Sequence, residues 1–561
     1  MKNFILPFAI SILLLSTGCA DKKAEKTDTE TAMEEVQQQV PFDWNAANVY
    51  FLLTDRFNNA DPTNDANFGR TEPSGVLRGF EGGDLKGVIA KIEEGYFDDL
   101  GINAIWMTPV VEQIHSGTDE GTGFSYPFHG YWTSDWTSLD PNFGTAADLD
   151  RLVKTAHEHG IRILLDAVLN HTGPATETDP AWPEEWVRTS PKCTYESYET
   201  AITCTLVENL PDIRTESDEA VELPPQLIEK WKAEGRYEQE VAELDAFFER
   251  TGYPRAPRFY IMKWLTDYIT DYGIDGYRVD TVRHVEEYCW QEFREQCDYA
   301  FAEWKQEHPE LIVDDNDFYL VGEVYGYGIG TGKYFDFGDK QVDYFDNMFD
   351  ALINFDLKDS GAKLSYEQLF SRYDSILNTS LAGYGTLSYM TSHDDSTPFD
   401  KAREKTYETA IILQLSPGAA QVYYGDESAR SLIIEGTEGD ATLRSFMNWE
   451  DIANNPETQE LLAHWQRLGK FRHDHPAVGA GRHLMISESP YLFSRTYVDG
   501  DYTDQVVVGL DLGEGVKTLD VSAVFEDGAK LTDRYSGQDL TVQSGQVTVD
   551  SSFDIVLLEK N

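Results

Sequence analysis

Positive charge is the scarcest feature of this 561-residue chain: 45 Lys and Arg stand against 99 Asp and Glu, for a formal net charge of −54. So acidic a surface repels phosphate backbones and anionic headgroups, which excludes nucleic acid and acidic membrane surfaces as partners. Cysteine is sparse, with five residues, and no Cys/His cluster has the spacing of a structural zinc site. No apolar run is long enough to cross a bilayer as a helix. Residues 4–15 fall short of the roughly 20 residues such a helix needs, but after Lys2 they match a signal-peptide core, so export is expected.

The end of that run, Leu15-Ser16-Thr17-Gly18-Cys19-Ala20, resembles a lipobox, with Ser16 where Leu is usual. The resemblance implies a signal peptide over 1–19 and a lipid on Cys19, which would be the chain's only tie to a membrane. Ala20 after the cysteine implies outer-membrane anchoring; periplasmic residence or plain secretion are the alternatives. Residues 20–43 are expected to be a disordered tether, since 21–39 are polar, charged and free of aromatics. Cys193 and Cys204 flank a short loop-rich segment and can pair in an oxidising compartment. Cys289 and Cys297 fall in a helical run, 286–307, where eight residues separate them by about 12 Å, beyond disulfide reach.

From residue 49 onward, short apolar runs alternate with helical stretches. Strands are predicted over 49–54, 102–109, 161–168, 274–279, 318–322, 352–355, 387–391 and 420–424, with helices such as 148–159, 259–272 and 401–415 between them. Eight strands with intervening helices predict a parallel (β/α)8 barrel over 44–477. The long excursion after the third strand, about 172–258, is expected to be an inserted domain carrying helices near 225–233 and 238–250. From 478 to 561 the pattern turns to alternating residues with turn signals, as in 505–512 and 540–549, which predicts a separate antiparallel β domain.

Charged residues stand where a barrel enzyme keeps its chemistry, at the C-terminal ends of strands. The third strand runs into Asp166-Ala167-Val168-Leu169-Asn170-His171, the fourth carries Arg278-Val279-Asp280, the fifth ends Gly322-Glu323-Val324 and the seventh Ser392-His393-Asp394-Asp395. Arg278 and Asp280, two residues apart, share one face of their strand. Desolvating such a pair costs several kcal/mol, roughly, which points to chemistry rather than stability. The order of these motifs, with Phe128-His129-Gly130-Tyr131-Trp132 and Leu210-Pro211-Asp212-Ile213, strongly resembles the α-amylase family, glycoside hydrolase family 13, over residues 44–561.

The resemblance implies roles. Asp280 matches the nucleophile, with Arg278 supplying the positive charge beside it. Glu323 matches the general acid/base, whose pKa must be raised, and Asp394 the carboxylate that binds sugar hydroxyls and helps distort the ring. His129, His171 and His393 match histidines around the same sugar and Tyr131 the ring stacked on it; Asp166, Arg283 and His284 complete the substrate-binding set. The implied reaction is double displacement with retention.

Calcium is the implied cofactor, held by Asn170, Asp212 and the His284 carbonyl. A second implied site uses Asn59, Asp61, Asn64, Asp65, Gly82 and Asp84. Arg283-His284 resembles the Lys-His pair of α-amylases rather than the Asn-Glu pair of cyclomaltodextrinases, which favours hydrolysis of internal α-1,4 bonds in α-glucans such as starch. The alternatives are a cyclomaltodextrinase or neopullulanase, a maltooligosaccharide transferase and, in a different class, a surface lipoprotein that only binds starch. A cyclodextrin glycosyltransferase is disfavoured because that family carries further C-terminal domains. A 13% aromatic content suits stacking on sugar faces.

Overall fold

The computed structural model describes residues 40–561. The signal segment, the lipidation site at Cys19 and most of the tether lie outside the described residues.

Eight parallel strands close into a barrel: β1 (Asn48–Leu52), β2 (Ala104–Met107), β3 (Arg162–Ala167), β4 (Gly276–Val279), β5 (Tyr319–Gly322), β6 (Ala351–Asn354), β7 (Gly385–Tyr389) and β8 (Ala419–Tyr423). β8 returns to β1, with Asn48 opposite Ala420 and Phe51 opposite Tyr423. Each strand coincides with a predicted run. Helices cover the outside and side chains fill the inside, so every residue of the eight strands is buried and the strands read as apolar runs.

The helices follow their local signals. α1 (Leu85–Glu93) starts at Asp84, whose carboxylate accepts from Gly87 N, and α2 (Ala146–Glu158) starts with a capping box between Thr145 and Asp148. Helix was expected from 401, but α8 (Thr406–Leu415) starts later. Asp400 explains this, because its carboxylate accepts from Glu404 N and Lys405 N and holds residues 401–405 as a turn, with Arg403 at a positive φ of 59°.

The excursion after β3 is built from the antiparallel pair Val187–Arg188 and Asp212–Ile213, a loop closed by the Cys193–Cys204 disulfide, and helices α3 (Pro225–Glu234) and α4 (Tyr237–Thr251). Trp231 of α3 meets Trp264 of the following barrel helix α5 (Pro257–Tyr272), with ring centroids 6.3 Å apart. Trp136, Trp182 and Trp186 pack on the same indole. Each such aromatic pair adds about 0.5–1.5 kcal/mol beyond its buried area, so this cluster anchors the excursion to the barrel helix. Cys289 and Cys297 are buried and unpaired on α6 (Glu287–Glu307), as their helical spacing requires.

After α9 (Pro456–Asp474) the chain forms a six-stranded antiparallel sheet and a separate two-stranded one. Phe493, Val506, Val508 and Leu557 on one face of the larger sheet join the barrel core, while Leu492, Val507, Val556 and Leu558 form a second core with Leu519 and Val547. The run 540–549 is not continuous. Gln538–Thr541 and Gln546–Ser551 are separate strands assigned to different sheets, divided by a turn with positive φ at Ser544 (53°) and Gly545 (75°).

Candidate active site

Arg278 on β4 lies in register with Asp166 on β3, and both point into the barrel. Its Nη1 donates to both oxygens of Asp166 at 2.9 and 3.1 Å and to Asp280 Oδ1 at 2.6 Å. Nη2 lies 3.0 Å from Glu323 Oε1, just past β5. One buried guanidinium thus engages three carboxylates from three strand ends. Asp166 also accepts from Tyr131 OH at 2.8 Å and Trp106 Nε1 at 3.2 Å, and it sits beneath the cleft rather than lining it. Glu323 Oε2 accepts from Thr281 N at 2.9 Å; Thr281 takes a left-handed conformation, φ 50°, rare for a β-branched residue.

A single cation among three buried carboxylates leaves negative charge that a dry interior disfavours. Burial pushes Glu323 up to about 8, with Asp280 and Asp394 pushing the same way and Arg278 and the Thr281 N–H opposing. Burial also raises Asp166, against the pull of Arg278. Burial alone would lower Arg278, but Asp166, Glu323 and Asp280 hold it well above its ordinary value, so it stays charged. The site therefore keeps a proton near neutral pH, and Glu323 is its natural holder.

The cleft above these groups encloses about 340 Å³ and is lined by Tyr131, His171, Asp280, Arg283, His284, Glu323, His393 and Asp394 among the expected residues. Tyr131 stacks on His393, centroids 5.4 Å apart and planes 23° from parallel. His171 Nε2 donates to Tyr131 O at 3.1 Å, and His129, behind the cleft, accepts from Tyr131 N at 3.0 Å through Nδ1. Burial, helped by Arg444, holds His129 and His393 far below the usual imidazole range, so both are neutral. Asp394 accepts from Ser392 Oγ at 3.1 Å. His284 Nδ1 donates to Ala201 O at 2.8 Å and burial lowers it to about 4.

The cleft also contains residues that sequence reasoning missed. Arg444, in the segment after β8, donates through Nε to His393 O at 3.0 Å; nothing around it in sequence marks it. Tyr195 and Tyr325 flank Arg283, and Leu206 and Leu210 add apolar lining. Tyr325 was within reach of motif reading, two residues after Glu323.

At the first expected metal site the Asn170 side-chain oxygen lies 3.2 Å from Asp212 Oδ1 and 3.1 Å from the His284 carbonyl oxygen. Three oxygens with no proton between them are satisfied by a hard cation or by a half-turn of the Asn170 amide. Asp212 is buried, its Oδ2 lacks a well-aligned hydrogen bond although Arg188 Nε is 2.9 Å away, and burial raises its pKa strongly. An oxygen set with a buried, under-bonded carboxylate fits calcium. Among the described residues no three His, Cys, Asp or Glu side chains converge as a metal site; this set relies on an amide and a backbone carbonyl.

At the second expected site Asn59 donates to Asp65 Oδ1 at 2.9 Å, and a Cβ on Gly82 (φ 91°) would lie 2.7 Å from the same oxygen. The side-chain oxygens of Asn59 and Asn64 are buried without partners. Asp61 and Asp84 are otherwise engaged: Lys86 Nζ donates to Asp61 at 2.6 Å, and Asp84 caps α1 while accepting from Ala60 N and Asp61 N. That ammonium competes with a cation in the loop.

A closed parallel barrel with paired carboxylates at its strand ends is the arrangement that a (β/α)8 glycosidase uses. A model of the alpha-amylase catalytic domain matches residues 51–467, and the chain belongs to the alpha-amylase family. It is 35% identical over 546 residues to the periplasmic alpha-amylase of Escherichia coli K12, covering 86% of this chain and 74% of that one. Among solved structures, an Anoxybacillus alpha-amylase aligns with a TM-score of 0.63 at 22% identity over 93% of this chain and 99% of that one. CldA, a cyclomaltodextrin glucanotransferase with a three-domain ABC distribution, aligns at 0.60 and 21% identity over 92% and 99%. CldA overturns the expectation that domain count sets such transferases apart.

Proposed function

We propose that the chain is an exported α-amylase that hydrolyses internal α-1,4 bonds of starch and maltodextrins with retention. The observation that carries this is the fork of Arg278, which reaches Asp280 at 2.6 Å and Glu323 at 3.0 Å and so keeps the two carboxyl groups close. That suits the short separation of retaining enzymes, about 5–5.5 Å, rather than the wider gap of inverting ones. Asp280 attacks the anomeric carbon while Glu323, protonated at neutral pH, donates its proton to the departing oxygen. Glu323 then takes a proton from water, and that water displaces the sugar from Asp280. Tyr131, His171 and His393 hold the reacting sugar, Asp394 binds its hydroxyls, and Asp166 with Trp106 fixes Arg278 and Tyr131 from below.

Calcium held by Asn170, Asp212 and the His284 carbonyl would supply positive charge that ties β3, the excursion and the turn after β4 together. Export is supported by the leader-like residues 1–19 and by the periplasmic relative. Anchoring through a lipid on Cys19 is the finer reading, and mass spectrometry of membrane-extracted protein should show a diacylglyceryl Cys19; cleavage elsewhere would defeat it.

The deciding assay measures reducing ends released from starch, β-cyclodextrin and pullulan. Starch should be the preferred substrate, and Asp280→Asn should lower its turnover by at least about 10³-fold with the fold intact. Near-normal starch hydrolysis by that variant would remove Asp280 as nucleophile. Cyclodextrin accumulating from starch would instead favour a transferase, a reading to which the CldA fold lends some support.

A further inference from the structure

We infer that a second binding site lies outside the catalytic cleft, in a cavity beneath α3, and that it takes one neutral pyranose ring such as glucose. The cavity encloses about 200 Å³ between three pieces of chain: the antiparallel pair Val111–Gln113 and Thr133–Leu139, the start of the excursion as far as Trp182, and α3. That volume falls below the range of about 300–1,000 Å³ usual for drug-sized ligands, so it suits one ring and not a glucan chain. No residue lines both this cavity and the cleft. The two are neighbours all the same, because Ile114 on the cavity side clusters with Trp132 and Leu210 on the cleft side.

The charges around the cavity are already answered. Lys230 of α3 donates through Nζ to Glu112 Oε2 at 2.5 Å and to Asp135 Oδ2 at 2.6 Å, and Asp179 accepts from the N–H groups of His115 and Ser116 at 2.6 and 3.0 Å. What stands without a partner is neutral. Thr133 is fully buried, yet its Oγ1 makes no hydrogen bond, and neither does the buried Nε2 of Gln226, one helical turn before Lys230 on the same face of α3. Both residues line the cavity. Buried polar groups are seldom left unmatched in a native protein, so two of them on one cavity mark a place for a ligand. A cation would be repelled by the Lys230 ammonium and the Gln226 N–H, and an anion by three carboxylates. A sugar hydroxyl accepts from the Gln226 amide and exchanges a hydrogen bond with Thr133, while Trp182 and Leu227 offer apolar surface to the C–H face of the ring. The site is read from its own lining and does not rest on the reaction proposed above.

The test is glucose binding to the full chain carrying Asp280→Asn, with excess maltoheptaose present to occupy the cleft, followed by calorimetry and saturation-transfer NMR. Glucose should bind with a Kd on the order of 1 mM, as so small a ligand allows. Adding Thr133→Val or Gln226→Leu should weaken it at least about tenfold, since each removes one of the two waiting hydrogen-bond groups. Neither substitution should lower Tm, because each deletes an unmatched polar atom, and in the otherwise wild-type chain neither should change starch turnover. No glucose binding beside maltoheptaose would show that the cavity holds only water, and unchanged affinity in both variants would put the sugar elsewhere. Either result overturns the site.

Discussion

Arg278 and Glu323 meet at 3.0 Å, Nη2 to Oε1, although one lies on β4 and the other beyond the end of β5. The same guanidinium holds Asp280, so the charge that serves the nucleophile also moderates the acid. Without Arg278 the burial that raises Glu323 would lose its strongest opposition, leaving the Thr281 N–H.

The raised pKa of Glu323, about 8, sets a pH dependence in both rate and stability. The wild-type kcat/KM should fall as pH rises through about 8 and the acid loses its proton. The folded pKa lies above the ordinary carboxyl value, so the stabilising contribution is complete below that value and is lost as pH rises through the folded pKa. Glu323→Gln, which cannot ionise, should therefore gain in Tm relative to wild type between about pH 4.5 and 8. A constant Tm difference across that window would contradict a buried, protonated Glu323.

The proposed calcium at Asn170, Asp212 and the His284 carbonyl would couple folding to activity. Binding to the folded state alone stabilises by about 2.7 kcal/mol when calcium is a hundredfold above its dissociation constant. Chelation should lower Tm and starch hydrolysis together, and calcium but not magnesium should restore both, because magnesium demands a tighter octahedron. Asp212→Ala should mimic the chelator. Unchanged melting in excess chelator, with no metal in the purified protein, would favour the turned Asn170 amide.

His475, just after α9, is clamped between the C-terminal strands, 2.9 Å from Asp504 through Nδ1 and 2.7 Å from Glu559 through Nε2. Burial alone would lower its pKa, but the hydrogen bonds to Asp504 and Glu559 raise it to about 9. The imidazolium's contribution to stability is complete below the unfolded pKa, about 6.5, and is lost as pH rises through the folded value. The Tm advantage of wild type over His475→Gln should be largest near pH 6 and shrink toward pH 10. Measured Tm gaps that stay level with pH would show that His475 does not hold the charge.

Taken by itself, the sequence determined the eight barrel strands, because strands covered on both faces are predominantly apolar and such runs are visible one at a time. It also determined which strand ends carry Asp166, Asp280, Glu323 and Asp394, since a conspicuous charge at the end of an apolar run is a local signal. Other features are not local. Arg278 reaches Asp166 only because β3 and β4 pair in one register, and Arg444 reaches His393 because β7 and β8, which precede them, are neighbours in the barrel. Lys86 took Asp61. The turn at Ser544 that divides 540–549 does leave a local trace, since the apolar positions shift phase between Val542 and Val547 across Ser544-Gly545. The three side-chain contacts depend instead on residues far apart along the chain, and sheet register, strand neighbours and the seating of α1 on its loop set those distances, which side-chain periodicity does not encode.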